Sequence, residues 1–177
     1  MNILFSFILL FAIGLHANAK KVTLKEMDDE SFKALKARFI EGSIENVVKN
    51  DKDPEPQVRS KEIAEFLGIL PLGAQTPNNY IFDVIAVDSG KKVGTLWYMR
   101  IIEDDQTEGF LYDIRIFEEF QNKGYGTALL KIYEEKAKEF GAKKVRLHVF
   151  GHNQGAKKLY TREGFFLTGY NMAKNLK

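Results

Sequence analysis

The stretch Gln121-Asn122-Lys123-Gly124-Tyr125-Gly126-Thr127 decides how this chain is read. It stands between an apolar strand pattern and a helical pattern over residues 122–140, where Leu129, Ile132, Tyr133, Ala137 and Phe140 recur every three to four residues. Gly124 and Gly126 carry no side chain, so main-chain N–H groups can approach a bulky anion there. The helix N-terminus adds orphan donors and about half a positive charge, and Lys123 adds its own charge at the rim. Together these make a cradle for a diphosphate. Other phosphate motifs fit badly: no G-K-[ST] follows the glycines, and in G-x-G-x-x-G the third glycine would be Leu129. The alternative is a glycine-containing helix start that holds no ligand, although two glycines in a first turn cost stability.

Before this stretch, strand patterns at 80–87 and 92–102 are joined by Asp88-Ser89-Gly90, a hairpin signal, and a polar turn at 103–108 leads to a third strand at 110–117. After it, Gly141 stands where a helix C-terminal glycine belongs. Val145, Leu147 and Val149 alternate on a strand, residues 153–162 form a short helix, and 165–172 a last strand. Towards the N-terminus, Val22-Thr23-Leu24 opens a first strand, and Asp28-Asp29-Glu30-Ser31 supplies the cap and acidic first turn of a helix. Phe32, Leu35, Phe39, Ile44, Val47 and Val48 form its apolar stripe, which DKDPEP (51–56) breaks. A second helix over 57–70 runs through Ile63, Phe66, Leu67 and Leu70, is stopped by Pro71 and Gly73, and gives way to a turn at Pro77-Asn78-Asn79. The order β-α-α-β-β-β-α-β-α-β is a mixed α/β fold.

The chain has 177 residues, enough for one domain. Lys+Arg 26 against Asp+Glu 24 leaves +2, so no nucleic-acid partner is expected. The absence of cysteine excludes disulfides, thiolate catalysis and Cys-ligated zinc, and His16, His148 and His152 lack metal-ligand spacing, so no metal is expected. Residues 1–19, MNILFSFILLFAIGLHANA, form an apolar leader with no charged side chain. Its end, Ala17-Asn18-Ala19, resembles a signal-peptidase site. No basic residue precedes the apolar run, however, and Lys20 and Lys21 follow it, an arrangement that the positive-inside rule keeps in the cytoplasm. The leader therefore reads as a signal peptide or as an anchor with possible membrane contact, and 20–177 as the domain.

Two blocks carry a family resemblance. Residues 121–126 match Q/R-x-x-G-x-G/A, and Asn153, Ala156, Leu159, Tyr160, Gly164 and Phe165 fill every position of N-x-x-A-x-x-L-Y-x-x-x-G-F. With one helix and one strand between the blocks, residues 21–177 resemble the GNAT superfamily of N-acetyltransferases. LHVFGHN (147–153) and TGYNMAK (168–174) are similar to a bacterial subgroup of it. The resemblance implies a mostly antiparallel six- to seven-stranded sheet splayed into a V, with four helices. It implies acetyl-CoA as cosubstrate, its pyrophosphate on the amides of Gln121, Asn122, Lys123, Gly124, Tyr125, Gly126 and Thr127. The pantetheine arm would run along the strand at Ile114 and Ile116 and reach Asn153 and Ala156. The V would open between strands at 111–117 and 145–150.

Acetyl transfer to an amine needs a neutral nucleophile, a stabilised oxyanion and a protonated leaving thiolate. By resemblance Tyr160 is the general acid; packing against Phe165 in the core is the alternative. His148 is the candidate base: it shares a strand face with Arg146 and Phe150, opposite Val145, Leu147 and Val149, and its reference pKa of about 6.5 suits proton acceptance. Related ribosomal-protein N-terminal acetylases carry glutamate at the aligned position, so a histidine bonded beside the site or solvated at a strand edge is equally open. Glu108 and Asp113 are further options, Asp113 being expected on the face opposite Tyr112, Ile114 and Ile116. Asn153 reads both as a pantetheine ligand and as a helix N-cap, and His152 as a loop residue. By resemblance the oxyanion donor is a main-chain N–H near Ile116. Trp97, Tyr80, Tyr98 and Tyr112 line an acceptor pocket or pack the sheet.

The expected function is acetyl transfer from acetyl-CoA to a primary amine of a small molecule or peptide, by a monomer or homodimer. An acyl-CoA-binding regulatory module without turnover is the alternative. A third reading is an extracytoplasmic protein that keeps the fold for another ligand, because the leader points outward while the cofactor favours a cytoplasm-facing domain.

Overall fold

The structure is a computed structural model that describes residues 20–51, 55–172 and 174; the leader lies outside the described residues. The elements are β1 (Val22–Glu26), α1 (Asp29–Asp51), α2 (Glu55–Ile69), β2 (Asn79–Ala86), β3 (Lys92–Glu103), β4 (Gln106–Ile116), α3 (Tyr125–Glu139), β5 (Lys144–Leu147) and α4 (Gln154–Arg162). Short 3₁₀ turns lie at Gly73–Gln75 and Glu118–Phe120.

The five strands lie in the order β1-β2-β3-β4-β5, antiparallel except for the parallel pair β4–β5. Apolar side chains leave both faces and build two cores. On one face, Leu129, Leu130, Tyr133 and Ala137 of α3 and Tyr160 of α4 pack with Val84, Leu96 and Tyr98. On the other, Leu35, Ile40 and Ile44 of α1, Val58 and Phe66 of α2 and Leu70 just past its end close over Trp97 and Ile81. Asp28 Oδ1 accepts the Ser31 N–H at 2.9 Å and starts α1 as its sequence requires. In α2 the buried side is not the whole expected stripe. Ile63 and Leu67 stand exposed, because the aromatic contacts of Phe66 with Phe32, Phe39 and Trp97 fix which side of the helix meets the sheet.

Two departures from the sequence reading position the site. The first is a bulge in β4. Trp97 pairs with Asp113 and Tyr98 with Leu111, leaving Tyr112 as an extra residue. Strict alternation would set Asp113 opposite Tyr112. Instead Tyr112 stacks on Trp97 at 4.6 Å and Asp113 bonds Arg38 of α1, so both face the α1/α2 layer, while Ile114 and Ile116 return to the other core.

The second departure is at the far edge, where the described residues form five strands instead of the expected six to seven. β5 stops at Leu147, and residues 165–172 form no strand. Strands exist by pairing, and among the described residues this segment pairs with no edge. It leaves α4 through a left-handed Gly164 (φ 91°), with the Phe165 N–H bonded to Tyr160 O (2.9 Å) and the Gly164 N–H to Thr161 O (3.2 Å). That is a Schellman turn, the physical content of the Y-x-x-x-G-F pattern. The β4–β5 ladder uses the whole of β5, from Glu108↔Lys144 to Leu111↔Leu147, and β4 continues past its end to Ile116.

Candidate functional site

Beyond Leu111 β5 has ended, so among the described residues one edge of β4 is unpaired. The Phe117 N–H bonds Val93 O at 2.9 Å on the β3 side. Because main-chain groups alternate along an antiparallel strand, Ile114 and Ile116 turn theirs to the open edge. Gln121 confirms this direction for Ile116, whose carbonyl accepts its Nε2 at 3.0 Å.

The glycine loop follows directly. Asn122 (φ 57°) and Gly124 (φ 87°) are left-handed, which for Gly124 needs no side chain to be accommodated. Among the described residues the amides of Asn122, Lys123 and Gly124 donate to no main-chain carbonyl, and the first helical bond of α3 is Ala128 N–H to Gly124 O (3.2 Å). The N–H groups of 125–127 are the helix's own orphan donors. Six consecutive amides, 122–127, are therefore available at one place. Lys123 bends over the loop, its Nζ donating to Glu119 O at 2.6 Å. Gly126 lets α4 pack directly onto α3: a Cβ there would stand 3.1 Å from Leu159 Cδ2.

Two side chains of the loop, Tyr125 and Thr127, anchor it, and the partners of both escape a sequence reading. Tyr125 is buried, and the Nζ of Lys20 lies 5.2 Å over its ring while pairing with Asp88 in the β2–β3 turn at 2.6 Å. The Thr127 hydroxyl is engaged with α4, donating to Glu163 (2.8 Å) and accepting from Arg162 (3.1 Å). Its side chain ties helix to helix, and its N–H is what remains for an anion.

Asn153 caps α4, its Oδ1 accepting the Ala156 N–H at 3.0 Å. This cap, the Leu159–Gly126 contact and the Gly164 turn fix Tyr160, which is buried with its ring 5.7 Å from Phe165. Burial pushes the phenol up to about 12, and the negative charge of Asp113 acts in the same direction. Tyr160 is thus at once a core residue and a phenol that stays protonated near a carboxylate.

The candidate bases differ in their surroundings. Asp113 pairs with Arg38 at 2.6 Å and accepts from the Thr95 hydroxyl at 3.3 Å; Glu108 pairs with Arg146. His148 sits just past β5, exposed, edge-on to Phe150 at 4.9 Å, and among the described residues it is in no ion pair and bonds neither Tyr160 nor Asp113. His152 stacks on the other side of Phe150 at 5.7 Å. Of the four strand aromatics, Trp97 and Tyr98 are fully buried, and Tyr80 stacks on Tyr98 at 5.0 Å. Trp97 Nε1 is satisfied by Asn79 at 2.9 Å. Those three are packing; Tyr112 stays half-buried. On the α1/α2 side an open groove of about 640 Å³, lined by Arg38, Glu41, Ile44, Glu45, Val48 and Arg115, has no signature in the sequence. Among the described residues no cluster of His, Asp or Glu could hold a metal.

The family model of the acetyltransferase (GNAT) family matches residues 45–165, from α1 through α4 to Phe165. This chain belongs to the GNAT family. Over 154 residues it is 30% identical to the uncharacterized N-acetyltransferase YdgE of Bacillus subtilis, covering 87% of this chain and 98% of that one. It is also 32% identical over 122 residues to the N-acetyltransferase YycN of the same organism, 69% of this chain and 76% of that one. The crystal structure of YycN superposes with a TM-score of 0.81 at 30% identity, covering 89% and 99% of the two chains. An acetyl transferase from Pyrococcus furiosus, at 24% identity and a TM-score of 0.66, shares the fold. The GNAT chain is accordingly an acyltransferase.

Proposed function

We propose that this GNAT enzyme moves the acetyl group of acetyl-CoA to a primary amine of a small molecule or peptide, with Tyr160 as general acid. Three features support the reading: the free amides of 122–127, the outward main-chain groups of Ile114 and Ile116 on the strand that leads into them, and the buried phenol of Tyr160 on the helix that packs against Gly126.

Acetyl-CoA supplies a thioester on a long arm that carries amides and ends in a phosphorylated nucleotide. The residues fit that shape. Unpaired amides and the dipole of α3 take the diphosphate, and the edge of β4 offers donors and acceptors to the arm as a neighbouring strand would. An outward N–H at Ile114 or Ile116 stabilises negative charge on the reacting carbonyl oxygen. Tyr160, held at about 12, keeps its proton at every working pH and gives it to the departing sulfur. The acceptor enters from the α1/α2 side. His148, in no ion pair, takes the proton that the amine loses. Because the donor is a cytosolic metabolite, the domain faces the cytoplasm, and mass spectrometry of the mature N-terminus in fractionated cells tests that placement.

Acetyl-CoA titrated into the protein should raise its melting temperature, and CoA release across a panel of amines should show turnover. Tyr160→Phe should lower kcat about 10²-fold with acetyl-CoA affinity unchanged. No thermal shift at millimolar acetyl-CoA would defeat the cradle. A shift without turnover on any amine would point to a binding module instead.

A further inference from the structure

The groove on the α1/α2 side is lined by four charged side chains, and two of them are already engaged. Arg38 turns its guanidinium to Asp113 at 2.6 Å and to the Thr95 hydroxyl at 3.0 Å. Glu41 accepts from both terminal nitrogens of Arg59, at 2.6 and 3.0 Å. Arg115 and Glu45 line the same groove and are exposed, and among the described residues neither is in a hydrogen bond or an ion pair. Ile44 and Val48 supply its apolar wall, and about 640 Å³ is the size of a small-molecule site. Arg115 stands between Ile114 and Ile116, whose main-chain groups face the open edge of β4, and its side chain takes the face of Asp113. A free guanidinium is therefore next to the proposed acetyl position, on the side from which the acceptor enters.

We propose that Arg115 selects the acceptor: an amine that carries a carboxylate of its own, as an amino acid or an acidic peptide N-terminus does. The inference rests on the transferase reading and names which amines that site takes. One free cation on β4 and one free anion on α1 are matched together only by a molecule bearing both charges. A polyamine would satisfy Glu45 but set a positive charge against Arg115, which has no counter-charge of its own because Asp113 is held by Arg38. A plain alkylamine would leave Arg115 unanswered. A carboxylate meets the guanidinium fork with two parallel N–H···O bonds, and so fixes the nitrogen a few bonds away from it. Glu45 draws the ammonium form into the groove before its proton leaves.

The test measures CoA release by the full chain at saturating acetyl-CoA, with acceptors paired so that one group differs. The pairs are alanine with alaninamide, lysine with 1,5-diaminopentane, and amidated peptides that begin with Asp or with Asn. The carboxylate member of the preferred pair should have a kcat/KM about 10- to 100-fold higher, as the loss of a charged hydrogen-bond partner predicts. The pair with the larger ratio tells a free amino acid from a peptide N-terminus as the source. Arg115→Gln should level that ratio, and Arg115→Glu should invert it, with 1,5-diaminopentane overtaking lysine. Both variants should keep the wild-type thermal shift with acetyl-CoA, which shows that they are folded. Equal rates within every pair overturn the proposal while leaving the transferase reading standing. So does a carboxylate preference that survives Arg115→Gln. Release of CoA with no acceptor of any kind defeats the transferase reading itself, and this inference with it.

Discussion

On the α3/α4 face of the sheet, Gly126 meets Leu159, Asn153 caps Ala156, and Tyr160 turns through Gly164 to Phe165. On the α1/α2 face, Phe39, Phe66 and Tyr112 surround Trp97 at 4.6 to 5.7 Å, and Arg38 reaches Asp113 across 75 residues. The first set depends on main-chain geometry, on where an N–H points and whether a Cβ fits. Such requirements single out residue types at fixed spacings. The second set needs volume, aromatic area and one charge pair, which many sequences supply. A motif search therefore sees one face and passes over the other, although both are equally buried.

The largest effect expected of a single substitution lies on the face without motifs. Trp97→Ala removes the side chain at the centre of the aromatic cluster and should cost about 3–5 kcal/mol, read by urea denaturation. A cost below about 1 kcal/mol would mean that α1 and α2 are held by something else.

Next comes alkaline unfolding, which should begin on the opposite face. Burial raises the phenols of Tyr98, Tyr133 and Tyr160, all three in the α3/α4 core, with Tyr160 at about 12. In the unfolded chain these phenols ionise near pH 10. Stability from this source is complete below pH 10 and falls as pH rises towards 12, each phenol losing about 1.4 kcal/mol per pH unit across that window. Tyrosinate absorbance should rise together with loss of helical circular dichroism; ionisation without unfolding would show these phenols to be accessible.

Asp113→Asn sharpens the boundary between the faces. It leaves the partly buried Arg38 facing a neutral amide and should cost about 2 kcal/mol, with turnover near wild type for the folded fraction. Unchanged stability with a hundredfold loss of turnover would instead move Asp113 into the chemistry. The smallest effect is Asn153→Ala, about 1 kcal/mol from the lost cap. Asn153→Asp keeps the cap and should restore stability; if acetyl-CoA affinity stays low in that variant, the side-chain amide also serves the cofactor.

What the sequence discloses follows the same division. The helices, the β2–β3 hairpin and the spacing from Gln121 to Phe165 are legible because each is a local rule: a cap, a period, a left-handed glycine. The bulge at Tyr112 is not, since an extra residue exists only relative to the partner strand. Arg38 and the groove beside it are hidden by their distance in sequence from Asp113 and Arg115. Lys20 reads as the charged flank of the leader, and its bond to Asp88 is a tertiary fact. Residues 165–172 read as a strand by their pattern, but a strand needs a partner edge, and among the described residues this segment has none.

One insertion governs how β4 serves its two neighbours. Were Tyr112 deleted, Leu111 and Asp113 would follow one another in plain alternation, and every residue from Asp113 to Ile116 would keep its side. A second residue added beside it would do the opposite and turn the residues that follow to the wrong layer. The bulge is spare length, so this strand tolerates the loss of one residue there far better than the gain of another.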